Sequence, residues 1–229
     1  MTEQPIAVRP RAIDLREIAA HARELEGAPA GQIVRWAADR FGTGLVLAAS
    51  FQDAVLIDIA VGVVPDIEVV FLDTQYHFAE TLWYVDQVKR RYDLSVTVMD
   101  PLVAPDDLWK TDVDACCAAR KVEPLNRALS GRAAWISGLR RDESPTRAGT
   151  AVVHWDEQRG LVKVNPLAAW TAADVDGYVR DHDLLVHPLT TRGYPSIGCW
   201  PCTSPVAPGD DPRSGRWRGT DKLECGINE

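Results

Sequence analysis

Gly44-Leu45-Val46-Leu47-Ala48-Ala49-Ser50-Phe51-Gln52-Asp53 is the stretch whose reading decides the fold. Leu45 to Ala49 is an unbroken apolar run bounded by Gly42, Gly44 and Ser50. A short run without polar alternation suits a strand buried on both faces, as in a parallel sheet. Outward from it a rhythm repeats. Asp53–Val61 predicts a helix, Glu68–Leu72 a strand, Phe78–Tyr92 a helix, Leu94–Met99 a strand, Ala115–Leu129 a helix and Ala133–Ser137 a strand. Such alternation implies right-handed crossovers and a doubly wound, mainly parallel α/β sheet. Upstream, Ile13, Leu15, Ile18, Ala19 and Ala22, then Ile33, Val34, Trp36, Ala37 and Phe41, recur at helical spacing and predict two N-terminal helices within residues 1–43.

After Gly138 the rhythm changes. Ala151–Trp155 and Leu161–Val164 read as short strands, and Thr171, with Asp174 at N3, caps a helix running to about His182. From Val186 onward proline and glycine leave no room for a long helix or a central strand. Three of the five cysteines lie in this irregular segment, which predicts a metal-held loop followed by a mobile arm. The expected organisation is N-terminal helices in 1–43, a nucleotide-binding and metal-holding unit in 44–205, and a C-terminal arm in 206–229.

The 229 residues carry 25 Lys+Arg against 33 Asp+Glu, a net charge of −8, and 46% are hydrophobic. This is the composition of a chain that buries a core, not of a disordered one. Asp53, Asp58 and Asp66 interrupt the most apolar region before it reaches the ~18 residues of a membrane span. The start, MTEQPIAVRPRAIDL, lacks an apolar h-region, so a cytoplasmic location is expected. The acidic balance argues against broad binding to nucleic acid or anionic membrane, while leaving room for one basic pocket.

That pocket is expected at the carboxyl edge of the sheet, where strand-helix turns present backbone N–H groups and helix N-termini to anions. Ser50 to Asp53 follows the first strand, and Leu72-Asp73-Thr74-Gln75 ends the second. Arg140 and Arg141 follow the strand 133–137 through Gly138, and Lys121 lies beyond Cys116 and Cys117. Arginine grips oxyanions with paired N–H bonds and lysine acts as a point charge, so the set suits a phosphorylated or sulfated ligand. The cysteines are four plus one. Cys116-Cys117 and the C-x-x-C of Cys199 and Cys202 supply sulfur ligands for zinc or an iron–sulfur cluster. Adjacent cysteines suit a cluster with several iron corners better than one zinc ion. Cys225 stands apart, downstream of Arg213, Arg216, Arg218 and Lys222, cations that lower a thiol pKa and favour a nucleophile.

The order of these segments resembles that of the assimilatory adenylylsulfate (APS) reductases, relatives of the phosphoadenylylsulfate (PAPS) reductases. The matching stretches are Ala49-Ser50-Phe51 with Asp53, Phe71-Leu72-Asp73-Thr74, and Cys116-Cys117 followed by Arg120-Lys121-Val122-Glu123-Pro124-Leu125. They continue through Ser137-Gly138-Leu139-Arg140-Arg141-Asp142-Glu143-Ser144, Val164-Asn165-Pro166-Leu167, Tyr194-Pro195-Ser196-Ile197-Gly198-Cys199 to Cys202-Thr203, Gly215-Arg216-Trp217 and Glu224-Cys225-Gly226-Ile227. The resemblance spans about Gly44 to Asn228. It implies an adenine-nucleotide hydrolase-like fold whose modified PP-loop, Ser50 to Asp53, borders the nucleotide, and a 4Fe-4S cluster held by Cys116, Cys117, Cys199 and Cys202. It also implies that Lys121, Arg140, Arg213 and Arg216 surround the phosphosulfate, with Leu72, Asp73, Thr74 and Gly138 beside the substrate.

On the same resemblance Cys225 attacks the sulfate sulfur of APS, AMP leaves, and a separate thioredoxin releases sulfite from the thiosulfonate, a step of sulfate assimilation toward cysteine. A homo-oligomer is compatible with it. The alternatives are a PAPS-using or dual-substrate enzyme, an ATP pyrophosphatase of the same fold, or an iron–sulfur or zinc nucleotide-binding sensor in which Cys225 is incidental. One residue departs from the pattern: such tails commonly continue Glu-Cys-Gly-Leu/Ile-His, and Asn228 stands in the place of that histidine. Asparagine carries neither a mobile proton nor a charge near neutral pH.

Overall fold

In the computed structural model, which describes residues 15–228, the apolar runs become the six strands of one sheet. The helices are α1 (Leu15–Glu24), α2 (Ala30–Phe41), α3 (Val55–Val63), α4 (Ala79–Tyr92), α5 (Leu108–Thr111), α6 (Val113–Cys117), α7 (Glu123–Leu129) and α8 (Ala172–Asp181). The strands are β1 (Leu45–Ala48), β2 (Val69–Leu72), β3 (Val96–Met99), β4 (Ala134–Ile136), β5 (Val153–Asp156) and β6 (Leu161–Val164), in the spatial order β3-β2-β1-β4-β6-β5. All neighbours pair in parallel except β5, which runs antiparallel to β6. The expected α/β sheet is present. Of the two predicted N-terminal helices, Ile13 lies outside the described residues.

Because successive strand side chains point to opposite faces, each central strand feeds two cores. Leu45, Leu47, Val69, Phe71, Ala134 and Ile136 join Ile33, Val34, Ala37, Ile57, Tyr84 and Val88 under the helices of one face. Val46, Val70 and Trp135 point the other way, to Leu125 and Leu129 of α7 and to Ile227 of the C-terminal arm. The first core draws on elements from α1 to α8; the second is completed by Ile227, near the end of the chain.

The predicted helix Ala115–Leu129 is divided. α6 is followed by a π-helical turn, Ala118–Val122, and then by α7 with Pro124 in its first turn. Proline has no N–H to give and is tolerated at a helix start, and a single π turn inserts a residue without ending the helical path. Helix α8 is capped as its sequence requires: Asp174 N–H donates to Thr171 Oγ1 and Thr171 N–H to Asp174 Oδ2. Among the described residues no helix is long and apolar enough to cross a membrane.

Candidate active site

The carboxyl ends of β1, β2 and β4 open into one cavity, the position an open α/β sheet offers to a ligand. Ser50, Phe51, Gln52 and Asp53 form its first wall. Phe51 adopts a left-handed backbone, φ 54°, which a bulky residue rarely does. Its ring is buried edge-to-face against Phe71, with centroids 5.4 Å apart. Asp53 Oδ1 accepts the Val55 N–H at 3.0 Å and caps α3, while burial pushes its carboxyl above the usual range against that bond and the nearby Arg140. Gln52 Oε1 accepts the Ile197 N–H at 2.9 Å, tying this turn to the loop that carries Cys199.

The second turn divides its duties. Leu72 and Thr74 line the cavity. Asp73 does not; its carboxylate accepts the Gln75 N–H at 2.8 Å in a local turn. Thr74 is hydrogen-bonded to Cys199 Sγ at 3.2 Å.

Ser50, Phe51, Asp53, Leu72, Thr74, Lys121, Gly138, Arg140, Arg213, Arg216 and Cys225 all face the one cavity. Arg141 turns away, and its guanidinium grips Glu26 through two bonds of 2.7 and 2.9 Å. The cations differ in what they already hold. Arg140 pairs with Asp142 and Glu143, and Arg213 with Glu224. Lys121 and Arg216 have no carboxylate partner among the described residues; Arg216 donates to the Ser196 hydroxyl and the Ile197 carbonyl, and its Nε is buried without a partner. Burial lowers the Arg216 pKa. For Lys121 burial works the same way, yet Cys199, Cys225 and Cys117 hold the ammonium above its ordinary range.

Cys225 is 6% exposed. Its pKa lies well below the ordinary thiol value because Cys117 donates to it, burial opposing, with Lys121, the Ile227 N–H and Arg216 adding to the effect. A Cys117 committed to a metal has no proton to give, and Lys121, Arg216 and that N–H are then the groups that favour the thiolate against burial.

Beside this cavity lies a smaller one. Cys116, Cys117, Cys199 and Cys202 line it together with Tyr76, Trp109, Arg120, Lys121 and Trp217. All five cysteines are free thiols. Among the described residues no three His, Cys, Asp or Glu side chains gather closely enough to clasp a single ion. Arg120 is buried here with its Nε unpartnered and its guanidinium 4.6 Å from the Tyr76 ring centroid. The all-sulfur donor set, flanked by cations, suits a soft, anionic metal centre and no hard cation.

Residues from the C-terminal segment line both cavities. Trp217 N–H donates to the Cys202 carbonyl at 3.0 Å and Ser204 N–H to the Gly215 carbonyl at 2.9 Å. A Cβ at Gly215 would collide with the Ser204 carbonyl oxygen, so only glycine lets the two backbones approach this closely. Further along, Lys222 pairs with Asp114, and Lys163 Nζ donates to Asn228 Oδ1 at 3.1 Å. Glu143, Arg147, Glu224, Ile227 and Asn228 also line the main cavity. Sequence reasoning gave the first four no role, although Glu224 immediately precedes Cys225 and Arg147 follows a dense run of charges. Burial works against ionisation of Glu224, yet Arg147, the Cys225 N–H and Arg213 hold it at about 2.

Comparison with known proteins places this architecture. The model of the phosphoadenosine phosphosulfate reductase domain matches residues 44–205. The adenosine 5′-phosphosulfate reductase of Mycolicibacterium smegmatis is 48% identical over 224 residues, covering 94% of this chain and 95% of that protein. That of Streptomyces coelicolor is likewise 48% identical with the same coverage. Among solved structures, the phosphoadenylyl-sulfate reductase of Candida auris in its phosphate complex superposes with a TM-score of 0.76 at 25% identity, covering 86% of this chain and 100% of that one. An FMN adenylyltransferase of Candida glabrata, at 14% identity and a TM-score of 0.63 over 93% of this chain and 79% of its own, shares the fold.

Proposed function

The chain belongs to the phosphoadenosine phosphosulfate reductase family, and from that premise we propose that it is an adenylylsulfate reductase, forming sulfite and AMP with Cys225 as the nucleophile. The observation that carries this reading is the lining of the main cavity, where the buried Cys225 thiol shares one wall with Lys121 and Arg216, cations that lack carboxylate partners. The curated relatives at 48% identity are named for the APS substrate, which is why APS is preferred here to PAPS.

The adenosine lies against Ser50, Phe51, Asp53, Leu72 and Gly138, and the phosphosulfate reaches toward Lys121, Arg140, Arg213 and Arg216. The Cys225 thiolate attacks the sulfur of the sulfuryl group. An S–S bond forms, the bridging S–O bond breaks, and AMP departs with the electron pair. The cations meet the charge that builds on the phosphosulfate oxygens, in a site whose donors are already oriented. A thioredoxin then attacks the Cys225 sulfur, sulfite leaves, and its second thiol resolves the mixed disulfide. The two electrons that take sulfate sulfur to sulfite thus come from the thioredoxin dithiol. The step takes place in sulfate assimilation leading to cysteine.

Cys116, Cys117, Cys199 and Cys202 would hold a 4Fe-4S cluster, since their four thiols line one cavity with Arg120 and Lys121. When bound, it supplies a charged, polarisable wall beside Lys121.

The test is an intact-mass spectrum of anaerobically purified protein incubated with APS or PAPS and no reductant. A sulfonate adduct with APS that is absent in Cys225→Ser is expected. An adduct only with PAPS would change the substrate, and no adduct in iron-replete protein would overturn the mechanism in favour of a nucleotide sensor.

A further inference from the structure

Residues 77 positions apart in the chain form the densest ionic contact at the site. Arg147 lies in a short 3₁₀ turn, Pro145–Arg147, whose start is fixed by the Thr146 N–H donating to Ser144 Oγ. Its guanidinium meets Glu224 through two parallel bonds, Nε to Oε2 at 2.5 Å and Nη2 to Oε1 at 2.6 Å. The third nitrogen, Nη1, donates to Glu143. Glu224 is also reached by Arg213 Nη2 at 3.3 Å and by the Thr146 hydroxyl at 3.5 Å. The Oε1 that faces Arg147 accepts the backbone N–H of Cys225 at 3.0 Å. Both partners are about nine-tenths buried, with side-chain exposures of 11% and 10%.

We propose that Arg147 is the positioning residue of the nucleophile: it clasps Glu224, and Glu224, through the Cys225 N–H, sets where the thiol stands. Three features support this. The contact is bidentate, the geometry in which arginine supplies direction as well as attraction. It is local to the thiol, since one carboxylate oxygen serves both the guanidinium and the Cys225 backbone. It is also charge-balanced: Arg147 and Arg213 meet Glu143 and Glu224, so a carboxylate stands in an anion-binding cavity without repelling the anion. Lys121 and Arg216 then stand as the cavity's cations without carboxylate partners among the described residues. Breaking such a pair from one side strands a buried charge and costs far more than the pair contributes, so without Arg147 the Glu224 carboxylate seeks water and draws Cys225 out with it.

Hydrogen exchange of the segment Leu223–Asn228, read by mass spectrometry on the full metal-loaded chain, tests the clasp directly. Arg147→Ala is expected to speed exchange there by about tenfold or more while segments from the sheet core stay unchanged. Arg147→Lys, which keeps the charge but not the two parallel bonds, should fall between and serves if the alanine variant does not fold. Adding Glu224→Ala to Arg147→Ala should produce no further increase. Wild-type exchange in both Arg147 variants, or single effects that multiply in the double variant, would overturn the proposal. A second arm, the rate of sulfonate adduct formation with APS, should fall in the same order. That arm rests on the reading of Cys225 as the nucleophile: exchange that responds while no adduct ever forms would sink that reading and leave the clasp standing.

Discussion

On one face of the sheet, Leu45, Leu47, Val69, Phe71 and Ile136 are sealed among residues of α1 to α4 and α8, and the core is almost wholly apolar. On the other, α7 covers Val46, Val70 and Trp135 only in part, and C-terminal residues add to the cover: Ile227 joins that core, Trp217 is buried beside Cys117 and Cys225, and polar contacts join Arg147 to Glu224, Lys222 to Asp114 and Lys163 to Asn228. One face is held by buried area, worth about 1.5–3 kcal/mol for each large side chain sealed. The other combines a smaller buried area, Ile227 and Trp217, with directional polar contacts.

The largest effect that would break this division is on the arm side. Cys199→Ser should abolish both bound iron and sulfite release, read by iron content and activity on the same sample, while the melting of the scaffold core stays cooperative; retained iron with full activity would remove Cys199 from the ligand set. Next, Leu47→Ala on the scaffold face should cost about 2–5 kcal/mol in denaturant unfolding without changing exchange protection of the arm. If the arm loosens as well, the two faces are not separable.

Smaller is the contribution of Lys163. Burial lowers its pKa to about 8, with Asp156 and Glu224 opposing and Arg159 and Arg147 assisting. It stands 4.5 Å from the Trp135 ring centroid, and His154, which is on the adjoining strand, has its own pKa lowered by burial. Between about pH 8 and the ordinary lysine value of ~10.4, the unfolded chain holds a proton at Lys163 that the folded chain has lost. Stability contributed by this group therefore rises with pH across that window. Lys163→Met should flatten the rise in a series of urea melts, and an identical slope in the two proteins would assign it elsewhere. The smallest expected change is Asn228→His, which should raise sulfite release a few-fold because imidazole can carry a proton where the amide cannot. Equal rates would show that the amide already suffices.

The division also explains what could be read in the chain beforehand. Leu45 to Ala49 and Glu68 to Leu72 announce buried strands because local apolarity is what a two-faced parallel sheet demands. The antiparallel direction of β5 is set by pairing with β6 and has no local signature. Ala115 to Leu129 reads as one helix since Ala118-Ala119-Arg120-Lys121 are all good helix formers, and the π turn costs them nothing that propensity records. At the site, Lys121, Arg140, Arg213, Arg216 and Cys225 were legible as chemistry. Arg140 and Arg141 are equivalent on paper, yet Arg141 goes to Glu26 and Arg140 to the cavity. Asp73 is drawn aside by a backbone N–H two residues away. The pairing of Arg147 with Glu224 left no trace, because no spacing rule connects residues so far apart.

The π turn at Ala118–Val122 also bears on how this segment tolerates change in length. One residue of an α-helix turns the chain by about 100°, and the turn delivers Arg120 to Tyr76 and Gln75 while Lys121 lines the main cavity. Deleting a single residue there would let the helix run at regular pitch from Cys117 into α7, at the expense of re-aiming both cations and shifting Cys116 and Cys117 against Leu125. A one-residue insertion or deletion between Asp112 and Leu129 is therefore expected to disturb the site more than a conservative side-chain change at an exposed position there.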